Sequence, residues 1–268
     1  MPHLSDEEIK ARIADGTIFA ISPDTNVFDR YGCNLDFVVL RKLDQFKNGA
    51  TPVLFSQIVA SEIATHIARR ADETRRDLKK ALKAYGDRWK TIDVAAAEQD
   101  LSLSDDPVAL AHTQFNAYLD AINGTVVPAG DQAKITDEVL RRYFTTETPF
   151  EDGEKKKHEF PDAFALLSLE KLASNRERIL LCVSADGGWQ RFAAQSQHLV
   201  CVSDLNIALS FYHDAGRNTA EQAMAMWAAG EAEDMNSEIE LTIQARLDNT
   251  DFFPDASAPL EFESEAIG

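Results

Sequence analysis

Five short, uniformly apolar runs constrain this chain more than any other feature. They are TIFAISP (17–23), PVLFSQI (52–58), TVVP (125–128), ILLCV (179–183) and LVCV (199–202). Each is too short for a buried helix and is bounded by turn-forming residues, which is the signature of a strand buried on both faces. Between them lie longer stretches with apolar residues at helical spacing: Leu35–Phe46, Ser61–Lys90, two segments within Asp93–Asn123, Ile135–Phe144, Pro161–Ala173 and a segment after Gly187-Gly188. Strands alternating with helices, the strands greasy throughout, predict a parallel sheet covered on both sides, an α/β fold. TVVP carries a proline that suits only an edge strand. Ser104, Asp105 or Asp106 is placed to cap the helix that Pro107 opens.

After Asp204 the pattern changes. Helices are expected at Leu205–Tyr212 and Thr219–Met235, then a half-exposed strand at Glu238–Leu247, then an irregular acidic tail. The expected organisation is a domain over residues 1–213, with a helical insertion at about 93–150, and an acidic appendage over 214–268. The last residues read as though a β-rich segment were beginning, as in a piece of a longer protein.

Composition narrows the function classes. Cys33, Cys182 and Cys201 form no spaced pairs, so neither a disulfide framework nor a zinc-finger pattern is present. The N-terminus lacks the basic and apolar regions of a signal peptide, and no apolar run reaches membrane-spanning length. A cytoplasmic protein is expected. Net charge is −18, which argues against a general nucleic-acid coat. The charge is unevenly spread, however: residues 214–268 hold thirteen acids and two bases, whereas Arg69–Lys90 holds nine bases and four acids. That helical stretch is either an anion-binding track or a solvated face laced with ion pairs. The acidic tail could cover such a track.

Four acids fall where the predicted sheet would gather them. In an open parallel sheet, ligands bind beyond the carboxyl ends of the strands. Asp24 ends the first strand (SPDTN), and Asp186 follows the fourth (CVSAD). Glu62 opens the helix after the second strand (VASEIA), and Asp162 opens the helix before the fourth (EFPDAF). Singly, each has a structural reading as a cap, a turn residue or a first-turn acid. Jointly they would repel one another unless cations sat between them, and an oxygen-only cluster suits Mg²⁺ or Mn²⁺ rather than zinc.

This ordered set resembles the PIN-domain ribonucleases over roughly Ile18–Asp204. The lysine-rich element Lys155-Lys156-Lys157-His158-Glu159-Phe160-Pro161-Asp162-Ala163 is similar to that of one bacterial subgroup with a long insertion. The resemblance implies a three-layer α/β/α fold with strand order 3-2-1-4-5. It also implies a Mg²⁺- or Mn²⁺-dependent site of Asp24, Glu62, Asp162 and Asp186 that cleaves single-stranded RNA to leave 5′-phosphate and 3′-hydroxyl ends. Asn26 and Ser184 match the small polar positions that orient the carboxylates, and Glu159 is a further candidate beside them. Glu62 would hold or deprotonate the attacking water. Lys155, Lys156 and Lys157, continued by Arg69 and Arg70, would meet flanking phosphates. His158 reads as a surface residue or RNA contact, and Trp189 and Phe192 as core. Implied partners are RNA, an antitoxin or other regulatory protein, and a second copy of the chain. Implied roles are those of a toxin or a phage-defence effector.

Three other readings compete. A haloacid-dehalogenase-type phosphatase needs a second Asp where Asn26 stands. A structure-directed DNA nuclease would carry more acids and a helical DNA-binding motif. A catalytically inactive PIN-like scaffold binding RNA or protein would not need all four acids intact.

Overall fold

In the computed structural model, residues 4–90, 93–103, 105–129, 132–153 and 156–228 are described. The expectation of a strand at Glu238–Leu247 and the identity of the acidic tail therefore fall outside the described residues, as do Lys155 and Ser104. The chain divides into two units, Met1–Gly216 and Arg217–Gly268. Of the second, Arg217–Ala228 is described and is helical.

The first unit is built on five parallel strands: β1 (Ile18–Pro23), β2 (Val53–Ser56), β3 (Gly124–Val127), β4 (Ile179–Val183) and β5 (Leu199–Val202). Their order is β3-β2-β1-β4-β5. All residues of β1, β2 and β4 are buried. This is why those runs lack polar alternation: both faces of the central strands are covered. β3 lies at the edge with three of its residues only partly buried or exposed, and Pro128 follows directly outside it. The 93–150 stretch thus contributes a strand of the sheet as well as helices.

The helices are α1 (Asp6–Ala14), α2 (Thr25–Asp29), α3 (Val38–Arg41), α4 (Gln57–Trp89), α5 (Val94–Asp100), α6 (Pro107–Ile122), α7 (Gln132–Thr145), α8 (Phe160–Asn175), α9 (Gly187–Gln195) and α10 (Leu205–Ala228). The core joins the strands to Phe28, Ile63, Phe115, Leu166, Leu169 and Trp189, all buried. Phe28, Phe55, Phe115 and Tyr118 form a ring cluster at 5.7–6.4 Å between centroids; Phe28–Tyr118 and Phe55–Phe115 meet edge-on, an arrangement that ring quadrupoles favour.

Several boundaries differ from the pattern-based expectation, each for a local reason. Leu35–Phe46 is not one helix but α3 followed by a 3-10 turn at Lys42–Phe46. The second strand stops at Ser56 rather than Ile58, because the Ser56 hydroxyl accepts the Val59 N–H at 3.1 Å and caps α4. Helix α4 consequently starts four residues earlier than its amphipathic pattern does. Asp106 is the residue that caps α6, accepting from the Val108 N–H, with Pro107 in the first turn. Residues 205–228 form one helix, not two; Asp214-Ala215-Gly216 does not interrupt it.

Candidate active site

The site lies at the carboxyl edge of the sheet, where β1 and β4 run side by side in register from Ala20 opposite Leu180 to Pro23 opposite Val183. That pairing sets the residues after each strand next to one another. Asp24 leaves β1 as the N-cap of α2, and its N–H donates to the Val183 carbonyl at 2.9 Å. Ser184 leaves β4 beside it and is wholly buried.

Asp24 is 5% exposed and its carboxylate is closely held. Oδ1 accepts the Thr25 N–H at 2.6 Å. Oδ2 accepts the Asn26 amide at 2.6 Å and the Ser184 hydroxyl at 2.7 Å. Ser184 Oγ in turn accepts from the Asn26 amide at 2.8 Å and the Asp186 N–H at 3.0 Å. Asn26 and Ser184 thus both donate to the same oxygen of Asp24. Despite these bonds, Asp24 is pushed up to about 7. Burial is the main cause, opposed by the Ser184 hydroxyl and reinforced by the charges of Asp162 and Asp186.

Asp162 lies in the first turn of α8. Its Oδ1 accepts the indole N–H of Trp189 at 2.8 Å. Burial raises it to about 6; the Trp189 bond opposes this, and the charges of Asp186, Glu62 and Glu159 add to it. Asp186 is exposed and caps α9, accepting from the Gly188 N–H at 2.6 Å and the Trp189 N–H at 3.3 Å. A Cβ at Gly188 would stand 2.9 Å from Asp186 Oδ1, so a larger residue there would push the capping carboxylate aside. Glu62 lies in the second turn of α4, not at its start, and Oε2 accepts the Thr25 hydroxyl at 2.8 Å.

The structure thus brings Asp24, Glu62, Asp162 and Asp186 into one electrostatically coupled group drawn from four elements. The remaining candidates divide. Glu159 is close enough to raise Asp162, but its carboxylate accepts the Glu151 N–H at 2.8 Å. Lys156 Nζ donates to the Thr146 hydroxyl at 2.6 Å and sits 5.0 Å from the Tyr143 ring centroid. Lys157, Arg69 and Arg70 are exposed. Further along α4, Arg75 and Arg76 pair with Asp72, Lys80 with Asp77 and Lys79 with Glu98, so that part is a solvated, ion-paired face. Trp189 and Phe192 are core.

Two polar contributors went unassigned in the sequence. The Thr25 hydroxyl ties α2 to Glu62, and the Trp189 indole ties α9 to Asp162. Both span long stretches of chain, and only the threonine of Asp-Thr-Asn hints at its role.

The donors fit a hard divalent cation. They are all oxygens, and Asp24 and Asp162 are raised first by burial and then by the facing carboxylates, both of which a bound cation would offset. The four are not tightly closed. Among the described residues, the set whose ligand atoms all lie within 4.8 Å of one another is Asp29, Cys33 and His66 instead. There His66 Nδ1 meets Asp29 Oδ1 at 2.9 Å and the Cys33 thiol donates to the same oxygen at 3.3 Å. A looser acidic group suits Mg²⁺, which keeps several waters and takes few carboxylates directly.

A family model described as PIN domain matches residues 21–189. The chain belongs to the PIN-domain family. That match runs from β1 to Trp189 and so spans the four acids and the sheet that positions them. Comparison with curated proteins and with solved structures returned no match. PIN domains are as a class nucleases that depend on divalent metal and act on nucleic acid. No helix among the described residues is long and apolar enough to cross a membrane.

Proposed function

We propose that this PIN domain is a Mg²⁺- or Mn²⁺-dependent endoribonuclease that hydrolyses single-stranded RNA in the cytoplasm. The observation that carries the reading is Asp24: a buried carboxylate, fixed by three donors, raised to about 7 by burial and by the facing acids. A fold does not keep such a group cheaply, and a cation at the site would relieve it.

In this reading Asp24, Asp162 and Asp186 would hold the cation, which when bound would supply charge neutralisation at the scissile phosphate. Ser184 and Asn26 fix Asp24 Oδ2. Trp189 fixes Asp162 Oδ1. Glu62 has Oε2 occupied by Thr25, leaving Oε1 to take the proton of the attacking water. Water oxygen bonds to phosphorus as the bond to the 3′-oxygen breaks, and that oxygen takes a proton from solvent water to leave as a 3′-hydroxyl. Lys157, Arg69 and Arg70 supply phosphate contacts. A toxin or phage-defence effector restrained by a partner protein, or acting as a dimer, is the role this activity fits.

Incubating the full chain with end-labelled single-stranded RNA, single-stranded DNA and duplexes, with Mg²⁺, Mn²⁺ or EDTA, tests the reading. Metal-dependent cleavage of single-stranded RNA to 5′-phosphate ends is expected. Cleavage that persists in EDTA, or products with 2′,3′-cyclic phosphate, would contradict it.

A further inference from the structure

We propose that the groove between α4 and α8 beside Glu62 is a subsite for one unpaired nucleobase of the substrate strand. The proposal rests on the nuclease reading above. The groove has a volume of about 390 Å³, at the small end of the range for built ligand pockets. Ile58, Phe160 and Phe164 give it an apolar wall, and Glu62, Thr65 and His66 a polar one.

Position gives the first argument. Glu62 is at once a wall of this groove and a member of the acidic group, and Pro161, which also lines it, precedes Asp162. A strand with a phosphate at the acids must carry a neighbouring nucleoside past this opening.

The groove's chemistry gives the second. Phe160 and Phe164 stand one helical turn apart on the same face of α8, half-buried rather than closed into the core. Phe160 is braced from behind by Tyr143 at 4.7 Å and Phe150 at 5.2 Å between centroids, so its ring is fixed before any ligand arrives. Opposite, His66 Nδ1 is held by Asp29 at 2.9 Å, which leaves Nε2 for a base edge. Thr65 donates its hydroxyl proton to the Ser61 carbonyl at 2.8 Å, leaving oxygen lone pairs as acceptors. Aromatic faces with a few polar groups at the rim are what a nucleobase needs.

Charge order gives the third. Along α4, Glu62, His66 and Arg69–Arg70 follow at helical spacing on one face. The acidic site, the groove and the first exposed guanidinium groups thus succeed one another as metal-held phosphate, base and next phosphate do along a strand. A base in a duplex is stacked and paired and cannot enter, so the groove selects single strands.

The probe is a single-stranded oligonucleotide carrying 2-aminopurine, in ribo and deoxyribo forms, titrated with the full chain in Ca²⁺. The wild type is expected to quench it and to leave a paired 2-aminopurine unquenched. Phe164→Leu keeps the apolar volume and removes the ring; affinity is expected to fall about tenfold. Replacing the base by an abasic site should weaken wild-type binding by a similar factor, a measurement that needs no variant. Quenching of either sugar form supports the subsite, and their ratio names the preferred strand. Equal affinity for abasic and normal strands, or equal quenching of duplex and single strand, overturns the subsite. If cleavage in Mg²⁺ is normal in that case, the nuclease reading stands without it. If the wild type cleaves nothing and quenches nothing, both fall.

Discussion

Asp24→Asn should make the metal-free protein more stable at pH 8, by about 2–3 kcal/mol, and less stable at pH 4, by about 1–2 kcal/mol. In the folded state this carboxyl ionises at about 7 rather than its ordinary 3.8. The sign follows from proton uptake. Below about pH 4 both folded and unfolded chains hold the proton, and the group contributes nothing. Between about 4 and 7 the folded state alone keeps it, so stability falls as pH rises. Above about 7 the penalty is complete, on the order of 4 kcal/mol at 1.36 kcal/mol per pH unit. An asparagine removes the charge. It costs something in return, because its NH₂ group faces the Asn26 amide, a donor that now lacks an acceptor, worth about 1–2 kcal/mol. The net expected gain is about 2–3 kcal/mol. Urea unfolding in EDTA at pH 8 and pH 4, wild type beside variant, reads it. A variant less stable than wild type at pH 8 would refute the reasoning, as would wild-type stability that does not fall between pH 4 and pH 8.

Three further outcomes follow from the same contacts. Mg²⁺ or Mn²⁺ should raise the thermal midpoint of the wild type at pH 8, by mass action on the folded state, and leave that of Asp24→Asn nearly unmoved in a melt followed by circular dichroism. Trp189→Phe removes the only indole bond on Asp162, so that carboxyl should ionise above its present value of about 6; the acidic limb of the pH–rate profile should move to higher pH. Ser184→Ala leaves the Asn26 amide and the Asp186 N–H each short of an acceptor and Asp24 short of a donor in a buried place; chemical denaturation should show a loss of about 2–3 kcal/mol.

The sheet was legible in the sequence because buried parallel strands announce themselves as apolar runs: Ile179–Val183 and Leu199–Val202 carry the observed boundaries of β4 and β5. The start of α4 was hidden because Gln57-Ile58-Val59 continues the strand's apolar run, and only the Ser56 cap marks the change. The break of Leu35–Phe46 into α3 and a 3-10 turn had no marker, since both satisfy the same apolar spacing. That the four acids would lie near one another followed from their places relative to strands. What held them did not: Trp189 bonds Asp162 across 27 residues and Thr25 bonds Glu62 across 37, and such pairings exist only once the sheet has formed. The partners of Lys156 were hidden for a similar reason: Tyr143 on α7 and Thr146 just after it meet the lysine only in the folded chain.

The most direct test of the central claim is RNA cleavage and RNA binding measured side by side for the wild type and Asp24→Asn, in Mg²⁺ or Mn²⁺. The account requires metal-dependent cleavage by the wild type, a loss of at least a thousandfold in the variant, and RNA affinity that survives the substitution. Cleavage retained by a folded Asp24→Asn protein would contradict it.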